Sequence, residues 1–290
     1  MENEINKVSC YLCGKDAFFY CEKKGYKLYK CPSCKLLFVS PTPVSAQIYD
    51  VSYFAGADKG FGYIDYDKDK EPMWPIFNKY LDIIANLGKK EGKILDVGCA
   101  TGYFLGMAKE RGFEVFGVEI SDYAAEIGRK KGIDIKTGIL ENLDYPKETF
   151  DVITMFDVIE HVSDPKTAIQ KAKNLLKNDG LLVINTPDSE SLWAKVSKSK
   201  WHLIMPPEHL FYFSEETLEW YMPKQDFELV YSKKISKIFT FQYIFIMLYK
   251  WQKLRIWNML SKLFSNKYLS KFHFKLTWND NLFMIFKKNV

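Results

Sequence analysis

Between Lys93 and Thr186 short apolar runs alternate with longer stretches whose apolar residues recur at helical spacing. The runs at 93–97, 114–119, 133–136, 151–156 and 180–186 predict strands, and the stretches at about 102–111, 121–131 and 165–177 predict the helices between them. Strand and helix in strict alternation imply a parallel, doubly wound α/β sheet. An amphipathic stretch from about Pro75 to Leu87 predicts a helix leading into it. Two further strand patterns, Phe227–Ile235 and Leu282–Lys288, follow, separated by about 45 residues, which is long for a hairpin and predicts a structured excursion.

The first of these strands is the most informative. Ile94, Leu95 and Val97 deliver Asp96 and then a small-residue turn, Gly98-Cys99-Ala100-Thr101-Gly102, into a helix. Such a turn lets a ligand approach the backbone. Glu119, at the end of the next strand, is placed to accept both hydroxyls of a ribose, so the ligand expected is a nucleoside. A dinucleotide site requires Gly-x-Gly-x-x-Gly, and this turn has the wrong spacing. Asp96 would oppose a phosphate but would help neutralise a cationic methionine head group, which favours S-adenosylmethionine (SAM).

The order of segments resembles that of the class I SAM-dependent methyltransferases, whose first motif is typically Asp/Glu-x-Gly-x-Gly-x-Gly. Here Ala100 replaces the middle glycine. The resemblance implies that Asp96, Gly98 and Gly102 hold the cofactor, that Glu119 takes its ribose and that Ile120 packs on the adenine. It further implies that Ile139 and Leu140, after Gly138, flank the adenine edge, that Phe156 and Asp157 border the methionine end, and that Tyr63 or Tyr66 of the lead-in covers the cofactor. Linker packing is the alternative for each tyrosine. The final two strands become the antiparallel pair that completes a seven-stranded Rossmann-like sheet.

Five of the six cysteines lie in the first 34 residues. Cys10-x-x-Cys13 and Cys31-x-x-Cys34 have the spacing of two knuckles around one tetrahedral Zn²⁺. Four thiolates close the coordination sphere, so the metal expected is structural. Cys21 reads as a spare thiol. Continuing through Leu36 to Pro43, this region resembles the zinc-ribbon leader of many bacterial and archaeal methyltransferases.

Transfer to an oxygen or nitrogen acceptor calls for a base. His161, in Asp157-Val158-Ile159-Glu160-His161, lies just beyond the fourth strand, at the edge where open α/β sheets bind ligands. The segment resembles a loop of ubiquinone-biosynthesis O-methyltransferases that has been linked with a divalent metal; packing, proton transfer and metal binding are all open for it. His209, in Pro206-Pro207-Glu208-His209-Leu210-Phe211-Tyr212-Phe213-Ser214, falls in a block resembling the His-Leu-x-x-Phe-Ser of a broad methyltransferase family. It is the better candidate base, with a structural contact as the alternative. Tyr212 and Trp201 are candidates for the acceptor wall, or for the core.

Composition sharpens the partners. The chain of 290 residues is 16% aromatic and carries a net charge of +5. Ten Lys or Arg and no acid fall between Tyr231 and Trp278, so the remainder is net acidic. The helical spacing from Trp251 to Leu269 suits a cap or homodimer contact, or an anionic membrane surface; an RNA-modifying enzyme and a non-catalytic SAM-fold scaffold are rival readings, with nucleic acid the less favoured partner. No secretion signal or uncharged span of 18 apolar residues is evident, so a cytoplasmic protein is expected, peripheral at the membrane if the insert meets lipid. The organisation expected is a zinc ribbon (1–45), a linker and helical lead-in (46–90), a methyltransferase core (91–235), an inserted basic-aromatic subdomain (236–276) and a final core strand (277–290). The acceptor expected is a small molecule, a sugar or a lipid-linked glycan.

Overall fold

A computed structural model describes residues 7–43, 67, 73–235, 238–264, 273–275 and 279–289. Tyr63 and Tyr66 lie outside them. The amino-terminal strands are β1 (Lys7–Ser9), β2 (Asp16–Lys23), β3 (Tyr26–Lys30) and β4 (Leu37–Val39). Helix α1 (Trp74–Asn86) leads into β5 (Gly92–Val97), α2 (Tyr103–Glu110), β6 (Phe113–Glu119), α3 (Asp122–Lys130), β7 (Asp134–Thr137), β8 (Phe150–Phe156), α4 (Pro165–Leu175) and β9 (Leu176–Pro187). The chain continues through α5 (Leu192–Ser197), β10 (Phe211–Tyr212), α6 (Glu215–Tyr221), β11 (Phe227–Ile235) and β12 (Ile238–Thr240). It closes with α7 (Phe241–Gln252), α8 (Arg255–Phe264), β13 (His273–Lys275) and β14 (Asn281–Lys288).

The main sheet has seven strands in the order β11-β14-β9-β8-β5-β6-β7. Strands β5 to β9 are mutually parallel where they pair, while β14 runs antiparallel to both β9 and β11. The buried centre explains the near-continuous apolar runs: Ile94, Leu95, Val152, Ile153, Val183 and Ile184 are all fully covered. Helices cap where the sequence offers an acceptor. Ser121 accepts from the Ala124 amide, and Asp164, ahead of Pro165, accepts from the Thr167 amide. The Asp179-Gly180 turn lies within β9 rather than before it: Asp179 has φ +57, and pairing with β8 jumps from Leu176 to Leu181. The extra residues form a bulge, so the strand begins directly after α4.

The amino-terminal strands form a second sheet, ordered β1-β2-β3-β4-β10. Its fifth strand comes from far along the chain: Phe211 and Tyr212 pair with Phe38 and Leu37. Thr217 of α6 donates its hydroxyl to the Cys34 carbonyl at 2.8 Å, and Tyr11 donates to Asp164. The four-cysteine segment therefore shares a core with the larger sheet.

The 236–276 insert contains a helical hairpin whose α7 and α8 meet through Phe241, Phe245, Trp257 and Phe264. The helical pattern from Trp251 breaks at Lys253, which has φ +57, and α8 begins at Arg255. Among the described residues no helix is long and apolar enough to cross a membrane.

Candidate functional site

At the carboxyl edge of the sheet, β5 ends in a turn with three left-handed residues. Gly98, Ala100 and Gly102 have φ of +70, +49 and +74. A Cβ on Gly98 would approach Val158 Cγ2 to 2.6 Å, so the position admits only glycine without rearrangement. The Gly98 and Cys99 amides are tied to the Val118 carbonyl, locking the turn against β6. Glu119, ending β6, accepts from the Ala100 amide through one carboxylate oxygen and from the Ser121 amide through the other, both at 2.9 Å. Burial pushes its carboxyl up from the ordinary value, against these amides and that of Ile120, which pull it down. A carboxylate offers about four lone-pair sites, so acceptor capacity remains for a hydroxyl donor.

Beside the turn lies a cleft lined by Asp96, Gly98, Phe156, Asp157 and Asn185, with Phe77, Tyr80 and Tyr103 forming aromatic walls. Asp96 is buried and accepts from Thr154 Oγ1 at 2.6 Å. Asn185 donates through Nδ2 to Tyr80 Oη at 3.1 Å, and its buried Oδ1 has no hydrogen-bond partner among the described residues. Two acids, aromatic faces and a vacant carbonyl acceptor suit a ligand that is cationic and donates hydrogen bonds. They oppose a phosphate. No motif in the sequence marks Phe77, Tyr80, Tyr103 or Asn185, which reach the cleft from helices and from the end of a buried strand.

Of the residues expected on the adenine side, Ile120 is half-buried and Ile139 is 42% exposed, so both remain accessible. The Leu140 side chain packs in the core with Leu143 and Phe150, so on that residue only the backbone of the short helical turn at 140–142 is left to face a ligand.

A second cluster involves both histidines. His161 and His209 rings lie 4.6 Å apart, edge to face. His161 Nδ1 is 2.7 Å from the Glu208 carbonyl and His209 Nδ1 is 2.8 Å from the Leu203 carbonyl. A carbonyl only accepts, so Nδ1 carries the proton in both rings and Nε2 holds the lone pair of the neutral form. Glu160, buried, accepts from Thr186 Oγ1 at 2.9 Å. Glu160, His161 and His209 each bring one donor atom within 4.8 Å of the others. The residue that joins Glu160 and His161 in this cluster is thus His209, whereas Asp157 lines the cleft.

For Tyr212 and Trp201 the structure favours the alternative reading, core packing. Each is 1% exposed, in an apolar cluster with Cys21, Leu28, Leu37 and Val39. Pairing of β10 with β4 sends Phe211 into the core shared with the larger sheet and Tyr212 to the opposite face of the small sheet, where its hydroxyl donates to the His209 carbonyl at 2.9 Å.

The four knuckle cysteines do come together: their sulfurs all lie within 4.8 Å, with Cys10–Cys34 and Cys13–Cys31 at 3.5 Å. Tetrahedral Zn²⁺ with Zn–S near 2.3 Å sets sulfurs about 3.8 Å apart, so the donor set fits that ion. The hydrogen bond from Cys34 pulls the Cys10 thiol down to about 5, against burial and helped by the Cys13 and Leu12 amides. Cys21 is outside the cluster, on β2.

Residues 75–232 match the methyltransferase-domain family model. The chain belongs to this family. It carries a methyltransferase domain on the fold of the class I SAM-dependent methyltransferases. The chain is 33% identical over 126 residues to a ubiquinone biosynthesis O-methyltransferase of Alkalilimnicola ehrlichii, covering 40% of this chain and 51% of the relative. It is 34% identical over 136 residues to the uncharacterized protein MJ1123 of Methanocaldococcus jannaschii, covering 47% of this chain and 64% of that protein. The chain thus spans about half to two thirds of the length of these curated relatives. A SAM-dependent methyltransferase from Archaeoglobus fulgidus superposes with a TM-score of 0.53 at 18% identity, over 77% of this chain and 97% of that one. The Bacillus YcgJ protein gives 0.53 at 15%, over 73% and 99%. These two likenesses establish the fold.

Proposed function

We propose that this methyltransferase transfers a methyl group from SAM to an oxygen acceptor on a small molecule, with nitrogen or carbon as the alternative atom. The observation that carries this reading is the left-handed turn of Gly98, Ala100 and Gly102 wedged against Glu119, opening on a cleft that is acidic and aromatic. SAM supplies an electrophilic methyl group with a neutral thioether as leaving group. On this chain, Glu119 would accept the ribose hydroxyls, Asp96 and Asp157 would balance the cationic end, and Phe156 and the walls of the cleft would exclude water. Tyr63 and Tyr66 are proposed as covering residues. His209, with Nδ1 held by the Leu203 carbonyl, would take the acceptor's proton on Nε2, and His161 would relay it. The relatives named for O-methyl transfer in ubiquinone biosynthesis support oxygen as the acceptor atom; a sugar or a lipid-linked glycan is the proposed acceptor class. The four cysteines are proposed to hold structural Zn²⁺.

Labelled-methyl transfer from SAM to a panel of hydroxylated sugars and phenols tests the proton-transfer roles. His209→Gln should lower kcat about 10²-fold with SAM affinity unchanged. Wild-type kcat in both His209→Gln and His161→Gln would remove the histidines from proton transfer. The convergence of Glu160, His161 and His209 favours one second reading, a divalent-cation site. Turnover restored to chelator-treated, zinc-reloaded protein only by added Mg²⁺ or Mn²⁺ would support it.

A further inference from the structure

The α7–α8 hairpin lies outside the span matched by the family model and leaves the sheet at a significant place. Ile235, the last residue of β11, lines the cleft, and across the sheet it pairs with Asn281, which pairs with Pro187 at the end of β9. The insert therefore springs from the same carboxyl edge that carries Gly98, Glu119 and Asp157. Within it, α8 uses Trp257 and Phe264 against α7. Its opposite face is apolar and open: Ile256, Met259 and Leu263 are 53%, 64% and 54% exposed, one helical turn apart. Arg255 and Lys262 border that stripe on one side, and exposed Leu254 extends it at the amino-terminal end. Past β9 on the same edge, α5 exposes Leu192 and Val196 beside Lys195 and Lys198.

An apolar stripe bordered by bases, on a helix too short to span a bilayer, has the make-up of an element that lies in a membrane interface. The charge pattern selects the occupant. With ten Lys or Arg and no Asp or Glu between Tyr231 and Trp278, a symmetric contact between two copies would set base against base with no acid to relieve it. An anionic lipid surface offers both acyl chains for Ile256, Met259 and Leu263 and phosphates for the lysines. We infer that α8 seats the protein on an anionic membrane surface, with the carboxyl edge of the sheet and its cleft turned toward that surface. Lipid binding of this kind stands apart from catalysis; that an acceptor reaches the cleft from the membrane rests on the methyltransferase reading.

The test is co-sedimentation of the full-length, zinc-loaded protein with phosphatidylcholine vesicles, with and without a minority of phosphatidylglycerol. Binding should appear on the anionic vesicles, be about tenfold or more weaker on phosphatidylcholine alone, and weaken with salt. Combining Ile256→Asp, Met259→Asp and Leu263→Asp should abolish it while the melting temperature stays that of the wild type. Failure of the wild type to bind anionic vesicles, or equal binding by the triple variant, overturns the inference. So does a dimer in sedimentation velocity that the triple variant dissolves while no vesicle binding is seen, or retention on RNA alone. A SAM titration of the same samples reports separately on the methyltransferase reading.

Discussion

At the scale of single residues the turn after β5, proposed to seat SAM, stores strain at Ala100. Its φ of +49 is a conformation that costs an L-residue roughly 1–2 kcal/mol, in the place where the family motif has glycine. The amide it presents to Glu119 at 2.9 Å accounts for the geometry being kept. Ala100→Gly should therefore raise stability by up to about 1 kcal/mol, the relief of strain less the entropy that glycine forfeits, with SAM affinity unchanged; thermal unfolding and calorimetry measure the two. Gly98→Ala should do the reverse. Its Cβ would meet Val158 Cγ2 at 2.6 Å and force the turn or that side chain to shift, and SAM binding should weaken about tenfold or more alongside a loss of roughly 1–2 kcal/mol in stability. Undiminished binding by Gly98→Ala would show that the turn is not the cofactor's seat. Residue roles that depended on which way a side chain points were the least legible from sequence. Asp96, Gly98 and Glu119 follow from a local motif, whereas Leu140, Tyr212 and Trp201 were turned into the core by contacts from distant strands.

At the scale of elements, the strands and helices of the main sheet were readable because each has one dominant period, and their ends agree within a few residues apart from β9 and its bulge. The amino-terminal strands were not. Their exposure alternates irregularly around the cysteine knuckles, and the strand that completes their sheet lies about 170 residues downstream, beyond reach of any local pattern. One side chain ties these regions together. Asp164 caps α4 and receives the Tyr11 hydroxyl. Burial pushes its carboxyl up, but hydrogen bonds from Tyr11 and from Thr167 outweigh that and leave it below the ordinary carboxylate value. A folded-state value below the unfolded one means that ionised Asp164 stabilises the fold above the unfolded value, and that this contribution is lost as pH falls through the folded one. Asp164→Ala should cost about 1 kcal/mol at neutral pH. Its deficit relative to wild type should shrink on acidification below about pH 4 in denaturant titrations.

On the scale of the whole molecule, the four-cysteine segment shares a core with the sheet that carries the histidine loop. Strand β4 holds β10, and β10 follows His209 by two residues, while the amides of Leu210 and Phe211 bond to the Glu160 carbonyl at 2.8 and 3.2 Å. Removing the zinc proposed for the four cysteines should therefore lower the melting temperature and reduce kcat far more than SAM affinity, because the turn proposed for the cofactor lies on β5 and β6, away from the seam between the two sheets. Equal losses in both would indicate global unfolding instead, and circular dichroism distinguishes the cases. The separate ribbon anticipated from cysteine spacing is thus also a brace for the histidine loop, a coupling visible only once β10 is seen to complete its sheet.

The most direct test of the central claim is a calorimetric titration of the purified chain with SAM, alongside NAD and with Glu119→Ala as control. Micromolar binding of SAM, none of NAD, and loss of SAM binding in a Glu119→Ala protein that remains folded are the results expected. A folded wild-type protein that takes up no SAM, or a Glu119→Ala variant that binds it as tightly as the wild type, would contradict the assignment of this turn and cleft to the cofactor.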